Sequence, residues 1–186
     1  MHSKNNIKAV LDTNAIHPIL IRDILFWMMH HEIFTGYWSD EILGEWRALL
    51  QKIYPSENIA HNRFEQIKQV FPESLVPLKN KTTQLNLPDE NDNHILQLAI
   101  ETESLWILTF NLKDFPDNIL IPLGIKAANP ADFISQMIRL NPIKTRAAFK
   151  DLIQIKRNPP LTNEHFMLRL QNNNLMKTFE AFQTLL

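Results

Sequence analysis

The sequence predicts an α/β domain of three layers, with a mostly parallel sheet between helices, followed by a helical C-terminal extension. Three observations predict it. Ile7 to Leu11 and Leu105 to Phe110 are short, strand-like apolar runs, the pattern of strands covered on both faces of a parallel sheet. Segments with helical spacing separate these runs, and strands alternating with helices imply a mostly parallel sheet. After about Leu140 strand signals stop, and short helical stretches remain, broken at Pro142 and Pro159-Pro160. We therefore expect a first unit over 1–139 and an extension over 140–186.

The elements follow in order. Ile7 to Leu11 is the first strand. Ala15 to His31 reads as one helix, with Ile16, Ile19, Leu20 and Ile24 on one face and Pro18 in its first turn, where proline is tolerated. Ser39 suits an N-cap, and Asp40 and Glu41 suit the first turn of a helix running to about Ile53. Ser56 caps another, ending near Pro72, and Leu75 to Leu78 is a weak strand candidate. Lys79 to Leu87 is loop-like, and Pro88-Asp89 opens a helix from Asn91 to Glu103. Leu105 to Phe110 is the second strand and Gly124 to Ala127 a third. Asn129-Pro130 starts a further helix, with proline at its first position. In the extension, Thr162 to Glu164 begins a helix and Asn172-Asn173-Asn174 forms a turn.

Composition removes several function classes. The 186 residues suffice for a domain with a real core, and 45% hydrophobic content argues against disorder. The chain has no cysteine, which excludes disulfides, thiolate zinc sites and iron–sulfur clusters. Its three glycines form neither a P-loop nor a Gly-x-Gly-x-x-Gly turn. The polar start lacks a secretory signal, and no apolar run approaches the roughly 18 residues of a membrane span. We expect a soluble, cytoplasmic protein without membrane contact. A net charge of −1 weakens a duplex-coating role but not an enzyme with an acidic site.

Four acids carry the chemistry. Asp12 and Asp114 each follow a predicted strand, at the edge where sites in parallel sheets gather. Glu45 shares a face with Ile42 and Leu49, and Asp92 with Ile95, Leu96 and Ala99, so both are expected on the core side of their helices. Each has an ordinary alternative: a turn for Asp12, an ion pair with Arg47 or Lys52 for Glu45, a helix cap for Asp92 or Asp114. Four at similar core-edge positions are harder to account for that way. Clustered carboxylates repel unless one is protonated or a cation sits between them, and an all-oxygen set suits Mg2+ or Mn2+.

The segments around these acids resemble one family. Val10-Leu11-Asp12-Thr13-Asn14 resembles the opening motif of PIN-domain ribonucleases. Ser39 to Glu45 resembles their second motif and Leu87 to Leu96 their third, with Glu45 and Asp92 in the acid positions. Thr109-Phe110-Asn111-Leu112-Lys113-Asp114-Phe115-Pro116 resembles the fourth and is the most specific match. Within the family the chain resembles the VapC-type toxins of bacterial toxin–antitoxin pairs. The resemblance implies a PIN fold and a Mg2+- or Mn2+-dependent endoribonuclease. Asp12, Glu45 and Asp92 would be its core metal ligands, with Asp114 the fourth acid. Asn14, Thr109 and Asn111 would orient the carboxylates. An RNA substrate, a cognate antitoxin and a homodimer are further implications.

Other residues read more plainly. His30-His31 face different sides of a helix, and His94 suits a surface or capping role. Trp27, Trp38, Trp46 and Trp106 suit the core or an interface. Lys79, Lys81 and Lys113 are candidate phosphate contacts. The function expected is cleavage of single-stranded or looped RNA by metal-activated water, with a catalytically silent scaffold that binds RNA or protein as the alternative.

Overall fold

In a computed structural model of the chain, residues 7–54, 57–79, 85–156 and 159–186 are described, those at 57–60 without their side chains. Strand β1 (Lys8–Leu11) lies at the centre. It pairs in parallel with β2 (Thr35–Tyr37) on one side and with β3 (Trp106–Leu108) on the other. The edge strand β4 (Lys126–Ala128) pairs in parallel with β3, giving the order β2-β1-β3-β4. Ala9, Val10, Leu11, Ile107 and Leu108 have no exposed surface, as continuous apolar runs in a sheet covered on both faces require.

The helices are α1 (Thr13–Ile16), α2 (Ile19–His30), α3 (Asp40–Ile53), α4 (Glu57–Val70) and α5 (Asn93–Glu101). They continue with α6 (Asp117–Leu120), α7 (Pro130–Leu140), α8 (Pro142–Ile155), α9 (Asn163–Asn172) and α10 (Met176–Gln183). Helix α2 lies over the Leu11 side of the sheet, where a Cβ on Gly36 would meet Met29 Sδ at 2.6 Å. Phe133 of α7 stacks edge-on against Phe34 and Trp106, with ring centroids 5.0 and 5.7 Å away. Val10 and Ile107 point to the opposite face, and α5, in contact with both β1 and β3, covers it. Beyond Leu140, α8 packs on α2 and α10 on α7, around a cluster of Phe149, Phe166 and Phe182. Among the described residues no helix is long and apolar enough to cross a membrane.

The capping signals act as their chemistry dictates. Ser39 accepts from the Ile42 amide at 3.3 Å, Asn129 from Ala131 at 2.9 Å and Thr162 from His165 at 3.2 Å. Ser39→Ala should cost about 1 kcal/mol of stability, read as an earlier urea midpoint with an unchanged slope. The expected Ser56 cap lies outside the described residues.

Some expectations are corrected. The single helix Ala15 to His31 is two helices. Pro18 has no amide to continue α1 and sits at ψ 119° as the residue that starts α2. Strand β2 was not expected, because three residues with a central glycine carry little strand signal. Leu75 to Leu78 supplies one parallel bridge, Trp38 to Leu75, rather than a strand. The third strand falls at Lys126–Ala128, because Gly124 takes φ 70° in the turn before it.

Candidate metal centre

All four strands run in parallel, so their carboxyl ends form one edge, and the site is built there. Asp12 is the first residue beyond β1. Its amide donates to the Leu108 carbonyl at 3.1 Å, which carries the ladder one step further and fixes Asp12 beside Thr109. The Asp12 carboxylate feels the Thr13 and Asn14 backbone amides at the start of α1, but it makes no regular capping bond there. Oδ2 accepts from the Thr109 hydroxyl at 2.7 Å and from the Asn14 side-chain Nδ2 at 2.5 Å. Asn14 in turn accepts from the Phe110 amide at 2.8 Å, and Thr109 accepts from the Asn111 amide at 3.0 Å. Asp12 is 5% exposed, and burial raises its pKa above the usual carboxylate range. The Thr109 hydrogen bond opposes that shift, and the charge of Glu45 adds to it.

Asp92 ends a 3-10 turn, Glu90–Asp92, ahead of α5. The cap alternative fails for its side chain, which makes no capping bond; Asp89 accepts from the Asn91 amide instead, at 3.0 Å. Asp92 is therefore free for other work. Burial, then the charges of Asp12, Asp89 and Asp114, push its pKa up to about 6, with His94 acting in the opposite direction. Asp114 closes the 3-10 turn Leu112–Asp114, is 8% exposed and accepts a short hydrogen bond from the Asn111 side-chain amide.

Asp89, Asp92 and Asp114 each place a carboxylate oxygen within 4.8 Å of the other two. Two oxygens on opposite sides of one Mg2+ lie about 4.2 Å apart, twice the usual bond, so small side-chain rotations bring this trio into range. The donors are all hard oxygens, the chemistry that Mg2+ and Mn2+ prefer. Asp89, Asp92 and Asp114 could hold a divalent ion, with Asp12 adjoining through its interaction with Asp92.

Glu45 departs from the expectation of a core-facing acid. The buried stripe of α3 is Ile42, Leu43, Trp46 and Leu50, and Glu45 falls on its flank, exposed. It still faces the site. Its Oε2 accepts from the Thr13 hydroxyl at 2.7 Å, and His94 Nε2 lies 3.5 Å from its Oε1. The ion-pair alternative with Arg47 or Lys52 is thus replaced by contacts from the site side.

Three residues near the acids were not singled out for it. Asp89 read as a helix cap, which it also is. Thr13 sat unremarked inside a motif. His94 read as a surface or capping residue, and its Nδ1 does lie 2.6 Å from the Asn91 carbonyl, but its other nitrogen reaches towards Glu45. The spacing of Asp89, Asp92 and His94 on one turn was the available signal. Lys79 and Lys113 are exposed, and Lys81 lies outside the described residues. Trp38 and Trp46 are buried core residues, and Trp27 and Trp106 are half-buried.

Residues 8–113 match the family model described as PIN domain. This chain belongs to the PIN-domain family. Residues 130–183 match a second model, described as the VapC50 C-terminal domain. Among curated proteins, the putative ribonuclease VapC50 of Mycobacterium tuberculosis (strain ATCC 25618 / H37Rv) is 37% identical over 71 residues. That stretch is 38% of this chain and 42% of the relative, so the match spans less than half of either. No solved structure matches. The PIN domain here is thus of the VapC type. Its parallel sheet and C-terminal helices agree with the fold expected from the motifs.

Proposed function

We propose that this chain is a Mg2+- or Mn2+-dependent endoribonuclease, the toxin of a type II toxin–antitoxin pair, acting in the cytoplasm. The observation that carries the reading is the meeting of Asp89, Asp92 and Asp114 beside a buried Asp12. Such a gathering destabilises a fold at neutral pH unless a proton or a cation offsets the charge. When bound, a divalent cation would offset this charge, lower the pKa of a water and steady a phosphoryl oxygen.

The chain's own residues supply the rest. Asp12, Asp92 and Asp114 would hold the ion, joined by Asp89 from the same cluster, with Glu45 at the outer edge of the set. Asn14, Thr109 and Asn111 fix the carboxylate rotamers through the hydrogen bonds described above. Exposed Lys113, next to Asp114, and Lys79 are available to the RNA backbone. Hydrolysis of the phosphodiester would leave a 5′-phosphate and a 3′-hydroxyl. We assign the chemistry to residues 1–139 and treat 140–186 as the helical extension. A cognate antitoxin and a second copy of the chain are the protein partners proposed.

The test incubates single-stranded RNA, and separately a phosphomonoester, with the chain in Mn2+ and in chelator. RNA cleavage confined to the Mn2+ arm supports the proposal. RNA binding without cleavage in either arm would turn the reading to a silent scaffold. Thr109→Val removes the donor that fixes Asp12 and should weaken Mn2+ binding by roughly 10- to 100-fold, measured by calorimetric titration.

A further inference from the structure

The chain has eleven phenylalanines, four tryptophans and two tyrosines. Phe110 alone among them is exposed, with 42% of its surface open. It makes no ring–ring or cation–π contact with the described residues, whereas Phe26, Phe34, Phe133 and Phe149 all pack against other rings. An aromatic left in water forgoes a large apolar gain, so its location carries information.

That location is the rim of the acid cluster. Phe110 follows Thr109, which holds Asp12, and precedes Asn111, which holds Asp114. Its backbone is pinned from both sides. Its amide donates to Asn14 Oδ1 at 2.8 Å, and the next amide donates to Thr109 Oγ1 at 3.0 Å. Thus the segment that orients two acids also holds this ring outside the core, three residues before exposed Lys113. A nucleotide has the matching parts: a flat base, and a phosphate that belongs among the acids and their cation.

We infer that the exposed Phe110 ring is the stacking platform for an unpaired RNA base beside the scissile phosphate. It acts as a positioning residue, and the inference rests on the proposed endoribonuclease reading. A protein partner's apolar side chain could also cover a lone ring, but the pinned backbone and the adjoining acids and lysine favour a nucleotide. The consequence is a preference for unpaired RNA, because a base held in a duplex cannot reach the ring.

The experiment uses the full chain and a short single-stranded RNA. Binding is read by fluorescence anisotropy in Ca2+, and cleavage is read in Mn2+. Stacking on one aromatic side chain makes a difference of about 5- to 150-fold. Phe110→Ala should therefore lose affinity and kcat/KM in that range, with an unchanged Mn2+ titration and melting temperature. Phe110→Trp should restore both. Phe110→Leu should not, which separates stacking from simple apolar contact. An RNA with a single abasic nucleotide next to the cut should bind the wild-type chain as weakly as Phe110→Ala binds the intact RNA. Binding by Phe110→Ala at the wild-type level, or equal rescue by Leu and Trp, would overturn the platform while leaving the nuclease reading intact. Weaker binding by Phe110→Ala, in a wild-type chain that never cleaves, would keep the platform and remove the nuclease. No RNA binding at all removes both.

Discussion

Asp12→Asn and Asp92→Asn each lose RNA cleavage in Mn2+ by at least about 100-fold, the scale at which removing a key electrostatic group acts. Asp12 lies beyond the central strand with two donors on one oxygen, which asparagine's carbonyl can still satisfy. The substitution therefore removes charge and keeps shape. Asp92 makes no capping bond, a task that falls to Asp89, so its substitution leaves the capping bond at the helix start in place. Glu45→Gln should lose less, because Glu45 is exposed, whereas Asp12 is buried and Asp92 half-buried. Rates from end-labelled RNA, with variant circular dichroism spectra matching the wild type, check this order. Undiminished cleavage by the Asp92 variant would remove that residue from the site.

The second large effect is on stability, and its sign is opposite. The Asp92 pKa lies near 6 in the folded chain, against about 3.9 in an unfolded one. The folded state thus holds a proton more readily between these values. This contribution to stability is fully present below about pH 4, and it is lost as pH rises through 6. Above that, the ionised group is held among like charges. Asp92→Asn removes that burden. Without divalent ions, its melting temperature should exceed the wild type's at pH 7.5 by a few degrees, at about 2–4 °C per kcal/mol, and the advantage should fade at pH 5. Mn2+ should then raise the wild-type melting temperature more than the variant's. A variant less stable than wild type at pH 7.5 would mean that Asp92 has an unseen stabilising partner.

The two effects explain what was legible in the sequence. Ser39, Asn129 and Thr162 announced their helices because capping is a local bond between near neighbours. Asp12 and Asp114 were legible because an acid beside a strand-like apolar run is costly, and the pattern itself says so. Glu45 falls beside the buried stripe because two apolar residues, Ile42 and Leu49, fit two neighbouring faces, and packing chose the one centred on Trp46. The role of Asp89 was hidden, since a capping aspartate and a clustered one look the same in sequence. Strand β2 was missed because Thr35, Gly36 and Tyr37 form a strand only through pairing with β1. What remained illegible depended on distant chain segments meeting.

Calorimetric titration of Mn2+ at pH 7.5, into the wild-type chain and into Asp92→Asn, tests the shared site most directly. Saturable binding by the wild type is expected, weakened at least about tenfold in the variant and weakened again in the wild type at pH 5, where Asp92 takes up a proton. Equal affinity in both chains at both pH values would contradict the shared site, because the cation would then be held elsewhere.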